Sequence, residues 1–427
     1  MSSDLGEFVM QHPLFSHHDH HASFKMFEDR RPEHDALSLL GYATADLATA
    51  GGPRVEGDVP LRQRATEHWS KIAATGYGRA VTLGCRALFD LDFCPENFDA
   101  ITERLQAALA DRSPSEVYDY FNKEQANVHW VLEDSCFDQG NPDFLDEKTY
   151  PQYYRFAWRL DKLFAIRNAK PIEELQELTG VSIDTLDEFV VAMHASIDAF
   201  KATGRLAAFK LGIAYLRDLR VGDPTIQQAQ HGFDHVRAQP VEDEGLGGGV
   251  VDPVEARMLS DYMLHRLLDR ADDENIPVQI HTGYLAGNWG ALESTRAMFL
   301  APVLRKFRGV RFDIFHASWP WTSELGVIAK NYPNVYPDMC WAWTMNPTGS
   351  ERTLSEWLDS VPFNKIFAFG ADTGLPWCEM GYATQARRGI ARVLEEKVAK
   401  GCFSEATARE IATAIMIENG KTFHGMD

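Results

Sequence analysis

Short apolar runs that close on polar residues recur along this chain, and segments with helical periodicity lie between most of them. We interpret the runs as buried parallel strands, because a strand covered on both faces reads as a continuous apolar segment. The predicted strands are PLFSHHDHH (13–21), ANVHWVLEDSCF (126–137), YYRFAWRLD (153–161), RLAAFKLGIAY (205–215), IPVQIHTGY (276–284), VRFDIFHAS (310–318), NVYPDMCWA (334–342) and KIFAFGADT (365–373). Eight strands alternating with helices predict an α/β fold, a (β/α)₈ TIM barrel. An open doubly wound sheet is the alternative, but no glycine-rich nucleotide loop follows an early strand.

The clearest helix is predicted to begin at Asp252, with Pro253 next and Glu255 as the third residue, an arrangement typical of a capping box. Its apolar face repeats at helical spacing. The residues of that face are Met258, Leu259, Tyr262, Met263 and Leu267.

Two long segments do not fit the alternation of strands and helices. Residues 25–125 read as a mostly helical insertion after strand 1, and residues 220–251 as a polar loop that ends in GLGGGV. A loop of that length is either a lid over the barrel mouth or a disordered surface excursion. We expect one domain that spans residues 1–427.

The composition predicts a globular protein without nucleic-acid or membrane partners. Of 427 residues, 45% are hydrophobic and 11% aromatic, enough for a sizeable core. The net charge of −20 argues against nucleic acid, although a few local arginines are still able to hold a small anionic substrate. We find neither an apolar run of membrane-spanning length nor a signal peptide. The six cysteines lack CxxC spacing, which predicts free thiols and a cytoplasmic location.

Histidines are concentrated in the first predicted strand, LFSHHDHHASF. Side chains two apart on a strand share a face, so His18 and His20 are able to reach one metal ion. The pairs His17 with Asp19 and Asp19 with His21 satisfy the same rule. A solvated, histidine-rich tail is the competing interpretation of this segment alone.

The ends of the other predicted strands favour a metal centre over a tail. Active sites of such barrels lie at the carboxyl ends of the strands, where side chains from different strands converge. Imidazoles combined with a carboxylate suit zinc, manganese or iron. The chemistry-bearing residues at these ends are His18, His20, Lys210, His281, His316 and Asp372.

Several segments carry a family resemblance: HHDHH, AFKLGIAY, IHTGY, FHASWPWTSELGVIAKNYPNVYPDM and FGADT. They resemble the amidohydrolase superfamily, and within it the branch of uronate isomerases and of the amidohydrolase domain fused to glutamine-synthetase-like proteins. The resemblance covers residues 12–22 and 126–380 and leaves the 25–125 insertion out. It implies a metal-dependent barrel acting on a small-molecule substrate, and an oligomer of identical chains.

The resemblance also implies a ligand set. Aligned with the family pattern Asp-x-His-x-His, Ser16 takes the first position, a mild departure because that aspartate is not a ligand. The implied metal ligands are His18, His20, His281 and Asp372. The implied cofactor is one divalent ion rather than two, zinc first, with manganese or iron as alternatives.

Two further positions have more than one implied role. His316 either binds a second metal or contacts the reacting water or substrate; uronate isomerases proper tend to lack it, which argues against a plain uronate isomerase. Lys210 is either carboxylated and bridges two metal ions, or contacts the substrate. A purely structural salt bridge is the third alternative. In the motif around it Tyr215 follows at the expected spacing, whereas Arg217 comes one place late.

Residues around the predicted mouth supply candidates for substrate binding: Arg159, Tyr215, Tyr284 and Trp319. A guanidinium such as that of Arg159 binds a carboxylate through two donors. Trp319, Trp321, Trp341 and Trp343 form an aromatic cluster, of which we expect two to pack the barrel top. Asp338 is either an acceptor for a ligating imidazole or a helix cap. We expect the non-ligand histidines of the N-terminal region to line the rim: His12, His17 and His21.

The preferred functional hypothesis is hydrolysis of an amide, ester or lactone by a metal-activated water. Asp372 takes and returns the proton, and His316 stabilises the oxyanion or orients the water. The alternative on the same site is a uronate-isomerase-like aldose–ketose isomerisation, or a decarboxylation. A barrel that only binds or assembles is the third hypothesis, and metal content distinguishes it.

Overall fold

The structure is a computed structural model that describes residues 3–52, 59–134, 150–239 and 253–426. In these ranges seven parallel strands form one sheet in the order β1 to β7. The strands are β1 (Leu14–Asp19), β2 (Val128–Glu133), β3 (Tyr154–Trp158), β4 (Leu206–Leu211), β5 (Val278–Ile280), β6 (Phe312–Ile314) and β7 (Val335–Pro337).

Helices connect and surround these strands, as the alternation predicted. They are α1 (Asp4–Gln11), α2 (Phe24–Arg30), α3 (Ala43–Gly51), α4 (Leu61–Ile72), α5 (Gly76–Phe89), α6 (Phe98–Ala110), α7 (Pro114–Tyr118), α8 (Lys170–Thr179), α9 (Leu186–Ala202), α10 (Ile226–Arg237), α11 (Val254–Asp273), α12 (Ala301–Lys306), α13 (Thr322–Asn331), α14 (Ala342–Met345), α15 (Pro347–Ser360), α16 (Glu379–Ala399), α17 (Glu405–Thr413) and α18 (Asn419–His424). None of the helices in the described ranges is long and apolar enough to cross a membrane.

Strand β1 is buried at every position although it contains a serine, two histidines and an aspartate. Its pairing with β2 shifts register between Leu14 and Phe15 and again between Ser16 and Asp19. Such bulges re-aim side chains, so strict alternation does not hold along this strand. Polar side chains of β1 therefore enter the interior at more than one level.

The predicted eighth strand, 365–373, is not a regular strand. The segment forms one parallel bridge, between Phe367 and Asp338. Further along, the Gly370 carbonyl accepts from the amide of Trp341 (2.8 Å), and the Asp372 amide donates to the carbonyl of His18 (2.8 Å). The segment thus lies between the β7 side of the sheet and β1, with hydrogen bonds to both.

The described residues between β1 and β2 form helices and contain no strand. Helix α5 of this region packs closely on α16, because a Cβ added at Gly381 would lie 2.1 Å from the Ala80 carbonyl oxygen. A glycine at this crossing lets the two backbones approach.

Helix α10 corrects the prediction of a polar loop over residues 220–251. Thr225 caps the helix in a capping box with Gln228, and Ala229, Phe233 and Val236 are buried at helical spacing. The glycine-rich end of the predicted loop, 240–251, lies outside the described residues. So does Asp252; helix α11 begins at Val254, two residues later than predicted.

The C-terminal segment closes the amino-end side of the sheet. A π-helical turn, Ala414–Glu418, precedes α18, and the Ile415 carbonyl accepts from the Ala368 amide (2.9 Å). A small apolar cluster joins the strands to this segment: Phe15, Leu132, Ala157, Ala207, Ala208, Ile417 and Met426.

The cysteines in the described ranges are free, as predicted: Cys85, Cys94, Cys340, Cys378 and Cys402. Cys136 lies outside those ranges.

Candidate metal centre

The structure brings the predicted strand-end residues together at the carboxyl ends of the strands. His18 belongs to β1 and Lys210 to β4, while His281 directly follows β5 and His316 lies two residues after β6. Asp372 lies in the segment 365–373, and its amide bonds to β1. Each of these side chains is buried. Burial of so many ionisable groups requires partners, since an unpaired buried charge is costly.

His20 forms the first contact that calls for a cation. Its Nδ1 lies 2.9 Å from the backbone oxygen of Asp134, and a carbonyl oxygen only accepts, so Nδ1 carries the proton. The other nitrogen, Nε2, lies 3.1 Å from Asp372 Oδ1. In a neutral ring Nε2 carries a lone pair, and here that lone pair faces the Asp372 carboxylate. A cation held between the two, or a proton on the ring, relieves the repulsion.

His281 and His316 present the same situation. His281 Nε2 donates to the Tyr284 carbonyl (2.8 Å), and His316 Nδ1 donates to the Cys340 carbonyl (3.1 Å). The remaining nitrogens, His281 Nδ1 and His316 Nε2, face each other at 3.0 Å. Two neutral imidazoles so oriented point lone pairs at each other, the arrangement that a shared metal ion or proton stabilises.

Two groups of ligand atoms in the mouth are close enough together to hold a metal ion. His18, His20 and Asp134 offer ligand atoms within 4.8 Å of one another, and so do His316, Cys340 and Asp372. His281 is in neither group, but its Nδ1 lies 3.0 Å from Nε2 of His316, a member of the second group. Imidazole and carboxylate together are the usual donors for zinc and its neighbours.

Burial sets the protonation of the imidazoles. It lowers the pKa of His18 and of His281 well below the usual value, with Lys210 adding to the effect at His18 and His316 at His281. Burial also lowers the pKa of His316 to about 4. These rings are neutral at pH 7, the form that ligates metals.

The carboxylate and the lysine respond in a different way. Burial by itself raises the pKa of Asp372, but the hydrogen bond from His20 and the charges of His316 and Lys210 outweigh it, and the pKa falls below its ordinary value. Burial lowers the pKa of Lys210. Its Nζ lies 3.1 Å from His18 Nε2 and 4.2 Å from the centre of the Phe315 ring.

Asp134, at the end of β2, is a site residue that the sequence analysis missed. Its Oδ2 lies 3.5 Å from His18 Nε2 and accepts from Arg159 Nη1 at 2.6 Å. Arg159 also bonds to Asp161 through Nε (2.6 Å). The substrate contact predicted for Arg159 stays a prediction; the structure shows its guanidinium bonded to two carboxylates beside the histidines.

Tyr42 is a second residue that the sequence analysis missed. It lies just before α3, in the helical region, and its hydroxyl donates to Asp372 Oδ1 (3.2 Å). Its ring packs on Trp341, with ring centres 4.7 Å apart. The helical region therefore contributes directly to the mouth.

The predicted aromatic residues divide between mouth and core. Trp341 packs against His316 (5.1 Å between ring centres) and Tyr284 (5.6 Å), and Trp319 packs against Tyr284 (5.5 Å). Tyr215 lies 4.7 Å from His281. Trp343 is buried, and its Nε1 donates to the Ala368 carbonyl.

Left-handed backbone is concentrated at the mouth. Ala317 (φ 54°), Ser318 (φ 48°), Trp341 (φ 62°) and Asp372 (φ 54°) all adopt it without being glycine. Such residues cost on the order of 1 kcal/mol each and persist where the surroundings over-determine them. These turns direct His316 and Asp372 toward the centre.

The predicted rim histidines do not line a rim. His17 and His21 are both buried, at 1% exposure. His21 Nδ1 bonds to the Tyr154 hydroxyl (2.6 Å), and His12 follows α1 at the opposite, amino-end side of β1. The bulges of β1 turn His17 inward below the centre, which strict alternation did not predict.

Asp338 and Arg217 are paired with residues other than the predicted metal ligands. Asp338 Oδ1 accepts from the Cys340 amide (2.6 Å), and Oδ2 lies 3.8 Å from His17 Nδ1. Arg217 pairs with Asp261 at 2.7 Å. Asp338 therefore faces an imidazole, but not one of the predicted ligands.

A family model described as Amidohydrolase matches residues 220–387. Protein fluG of Emericella nidulans is 26% identical over 180 residues, which are 41% of this chain and 21% of that protein. The uronate isomerase of Thermotoga maritima is 23% identical over 285 residues, 62% of this chain and 60% of that enzyme. The chain is therefore similar to the amidohydrolase family over residues 220–387 and to these relatives.

Solved structures share the fold of this chain over nearly all of its residues. The uronate isomerase structure from Thermotoga maritima superposes with a TM-score of 0.78 at 17% identity, over 98% of this chain and 96% of that one. A putative metal-dependent hydrolase from Lactobacillus casei gives 0.66 at 18% identity, over 100% and 98%. The sequence matches themselves span only about a fifth of fluG and three fifths of the isomerase.

Proposed function

We propose that this chain is a metal-dependent hydrolase that attacks the carbonyl of an amide, ester or lactone in a small molecule. The observation that supports the proposal is the set of imidazole nitrogens in the mouth whose lone pairs face a carboxylate or each other. That arrangement is unfavourable without a cation and suits one well.

The proposed ligands are His18, His20, His281 and Asp372, holding one divalent ion with zinc preferred. When bound, such an ion lowers the pKa of water and polarises a carbonyl. Lys210 and Asp134 contact His18 and orient its ring.

The proton is moved by residues of the chain. Asp372 is ionised, so its carboxylate accepts the proton of the attacking water and returns it to the leaving group. Tyr42 holds one oxygen of that carboxylate, and His316 lies 3.6 Å from the other. His316 orients the water or stabilises the oxyanion. Lys210, Tyr215, Tyr284, Trp319 and Arg159 remain the proposed substrate contacts.

Aldose–ketose isomerisation of a uronate is the second candidate. It is favoured by the near-complete superposition on a uronate isomerase. His316 distinguishes the candidates by resemblance, since uronate isomerases proper tend to lack the corresponding histidine.

The proposal extends to the architecture. We propose that segment 365–373 takes the eighth place of a (β/α)₈ barrel, and that residues 1–427 form one domain with the helical insertion 25–125. A lid formed by residues 220–251 stays a prediction.

A product analysis tests the chemistry. Purified full-length protein is assayed for metal by mass spectrometry and then incubated in ¹⁸O-water with a panel of amides, esters, lactones and uronates. Hydrolysis places solvent oxygen in the newly formed acid. An isomer of unchanged elemental composition favours the second candidate, and a protein without stoichiometric metal or metal-rescued turnover contradicts both.

A further inference from the structure

A second group of buried ligands lies below the mouth, between the sheet and the C-terminal helix. His17 belongs to β1, Asp313 to β6 and His424 to α18, and their ligand atoms lie within 4.8 Å of one another. All of these side chains are buried. We call them the lower triad.

Polar atoms of the lower triad and its neighbours have no hydrogen-bond partner. They are both ring nitrogens of His17, His424 Nε2 and Gln279 Oε1. Each buried polar atom left unpaired costs about 1–3 kcal/mol. Native interiors avoid such a concentration unless water or an ion occupies the space between the groups.

The ring of His424 is oriented as a ligand. Its Nδ1 donates to the Ala207 carbonyl (3.2 Å), so Nε2 carries the free lone pair. Burial lowers the pKa of His424 to about 3, so this ring is neutral at pH 7.

Packing holds the ring of His17 in place. It stacks on Phe367 with ring centres 4.2 Å apart. On its other side is Gly420 of α18, where an added Cβ would lie 2.6 Å from His17 Nε2. Only a glycine leaves room for the imidazole here, so the helix is shaped around the ring.

The two buried acids, Asp313 and Asp338, supply negative charge once they lose their protons. Asp313 Oδ2 accepts from Gln279 (3.0 Å). Burial raises the pKa of Asp313 to about 8, and burial with the Asp313 charge raises that of Asp338. A cation that replaces the proton between them releases it to solvent.

We propose that the lower triad binds a divalent transition-metal ion of the zinc class, separate from the ion at the mouth. Two imidazoles and a carboxylate are a common ligand set for such ions, with Asp338 or water completing it. Ligand atoms bound at about 2.1 Å lie at most about 4.2 Å apart, so small side-chain movements close the set. The ion links α18 to β1 and β6.

Metal counting tests the proposal. Full-length wild type and the variants His424→Gln and Asp313→Asn are saturated with zinc, passed over a desalting column and analysed by mass spectrometry. We expect each variant to hold about one equivalent less than wild type. The exposed His231 provides the matched control, and His231→Gln should retain the wild-type count.

A mouth variant separates the lower ion from the mouth ion. The double variant His18→Gln/His20→Gln should still hold about one equivalent, bound by the lower triad. Cobalt in that variant should produce the visible absorption of a low-coordinate site, and adding His424→Gln should abolish it.

Two results would overturn the inference. One is an unchanged metal count in both His424→Gln and Asp313→Asn, which means that water fills the space. The other is complete loss of metal from the folded mouth double variant. Asp313→Asn is nearly isosteric, so the metal count of this variant tests the inference even if His424→Gln does not fold.

Discussion

Asp372 is held in an unusual conformation by contacts from several directions. Its φ of 54° lies in the left-handed region. Its amide donates to the carbonyl of His18, and its carboxylate contacts His20, Tyr42 and His316. Asparagine and aspartate tolerate this backbone better than most residues. The carboxylate is thus positioned before any substrate arrives.

Replacing Asp372 by asparagine tests its role as proton acceptor. Asp372→Asn keeps the shape and an oxygen ligand but removes the basic carboxylate. We expect turnover to fall by at least about 100-fold while metal content stays close to wild type. Steady-state kinetics and metal analysis measure the two quantities. The exposed Asp273→Asn is the control, and an unchanged kcat in Asp372→Asn contradicts the role.

Asp134 is a site residue that the sequence is able to reveal. The rule that polar residues at strand ends form the site selected Lys210, His281 and His316. The same rule selects the carboxylate of Asp134, which directly follows β2. Its pairing with Arg159 (2.6 Å) was not accessible, because the pair depends on how β2 and β3 lie side by side.

At the scale of elements, the helical region between β1 and β2 is part of the site. Tyr42 lies before α3, and Tyr77 in α5 packs within 6.2 Å of Trp341. The family resemblance did not cover this region. Its contribution depends on the docking of helices over the mouth, which local periodicity does not encode.

Tyr42→Phe tests that contribution. The substitution removes the hydroxyl that donates to Asp372 and leaves the ring that packs on Trp341. A hydrogen bond to a charged group is worth about 1.5–3 kcal/mol, so we expect kcat to fall by about tenfold or more.

Loss of the same hydrogen bond should lower the free energy of unfolding of Tyr42→Phe by no more than about 1.5–3 kcal/mol, so the variant stays folded in thermal unfolding. Tyr332→Phe, at a partly exposed tyrosine directly after α13, serves as control. A kcat equal to wild type in Tyr42→Phe would show that the hydroxyl does not support Asp372.

Helix α10 and strands β5 to β7 show where element boundaries were predicted wrongly. Residues 220–251 were predicted as a loop because they end in a glycine-rich stretch. The Thr225–Gln228 capping box is nevertheless the sequence signal for the start of α10. The three late strands are three residues each, against nine predicted. The residues predicted as the last part of β5 and β6 are turns instead, and these turns contain His281 and His316. Both a strand and a buried turn are apolar, so composition does not distinguish them.

At the scale of the whole molecule, the C-terminal helix couples stability to pH. His424 is buried among His17, Asp313 and Arg311. Its pKa of about 3 in the folded chain lies below the 6.5 of an ordinary histidine, chiefly because of burial. Between these values the unfolded chain binds a proton that the folded chain does not. The free energy of unfolding therefore falls as the pH falls.

Comparison with His424→Gln isolates this effect from other buried groups. In chelator-treated protein, the unfolding free energy of wild type relative to the variant should fall by about 1.4 kcal/mol per pH unit from roughly pH 6 to 4. Denaturant unfolding at several pH values measures it. His231→Gln should show no such trend against wild type, and a flat difference for His424→Gln contradicts the linkage.

The sequence by itself determined the positions of seven strands, their alternation with helices and the residues at the strand ends, because side-chain chemistry and periodicity are local properties. His18, Lys210, His281, His316 and Asp372 were all identifiable in this way. Tertiary structure alone decided which side chains meet: Asp134 with His18, Tyr42 with Asp372, and His17 with His424. Those contacts join residues far apart in the chain, and they depend on the bulges of β1 and on helix docking, which are outcomes of packing over the whole fold.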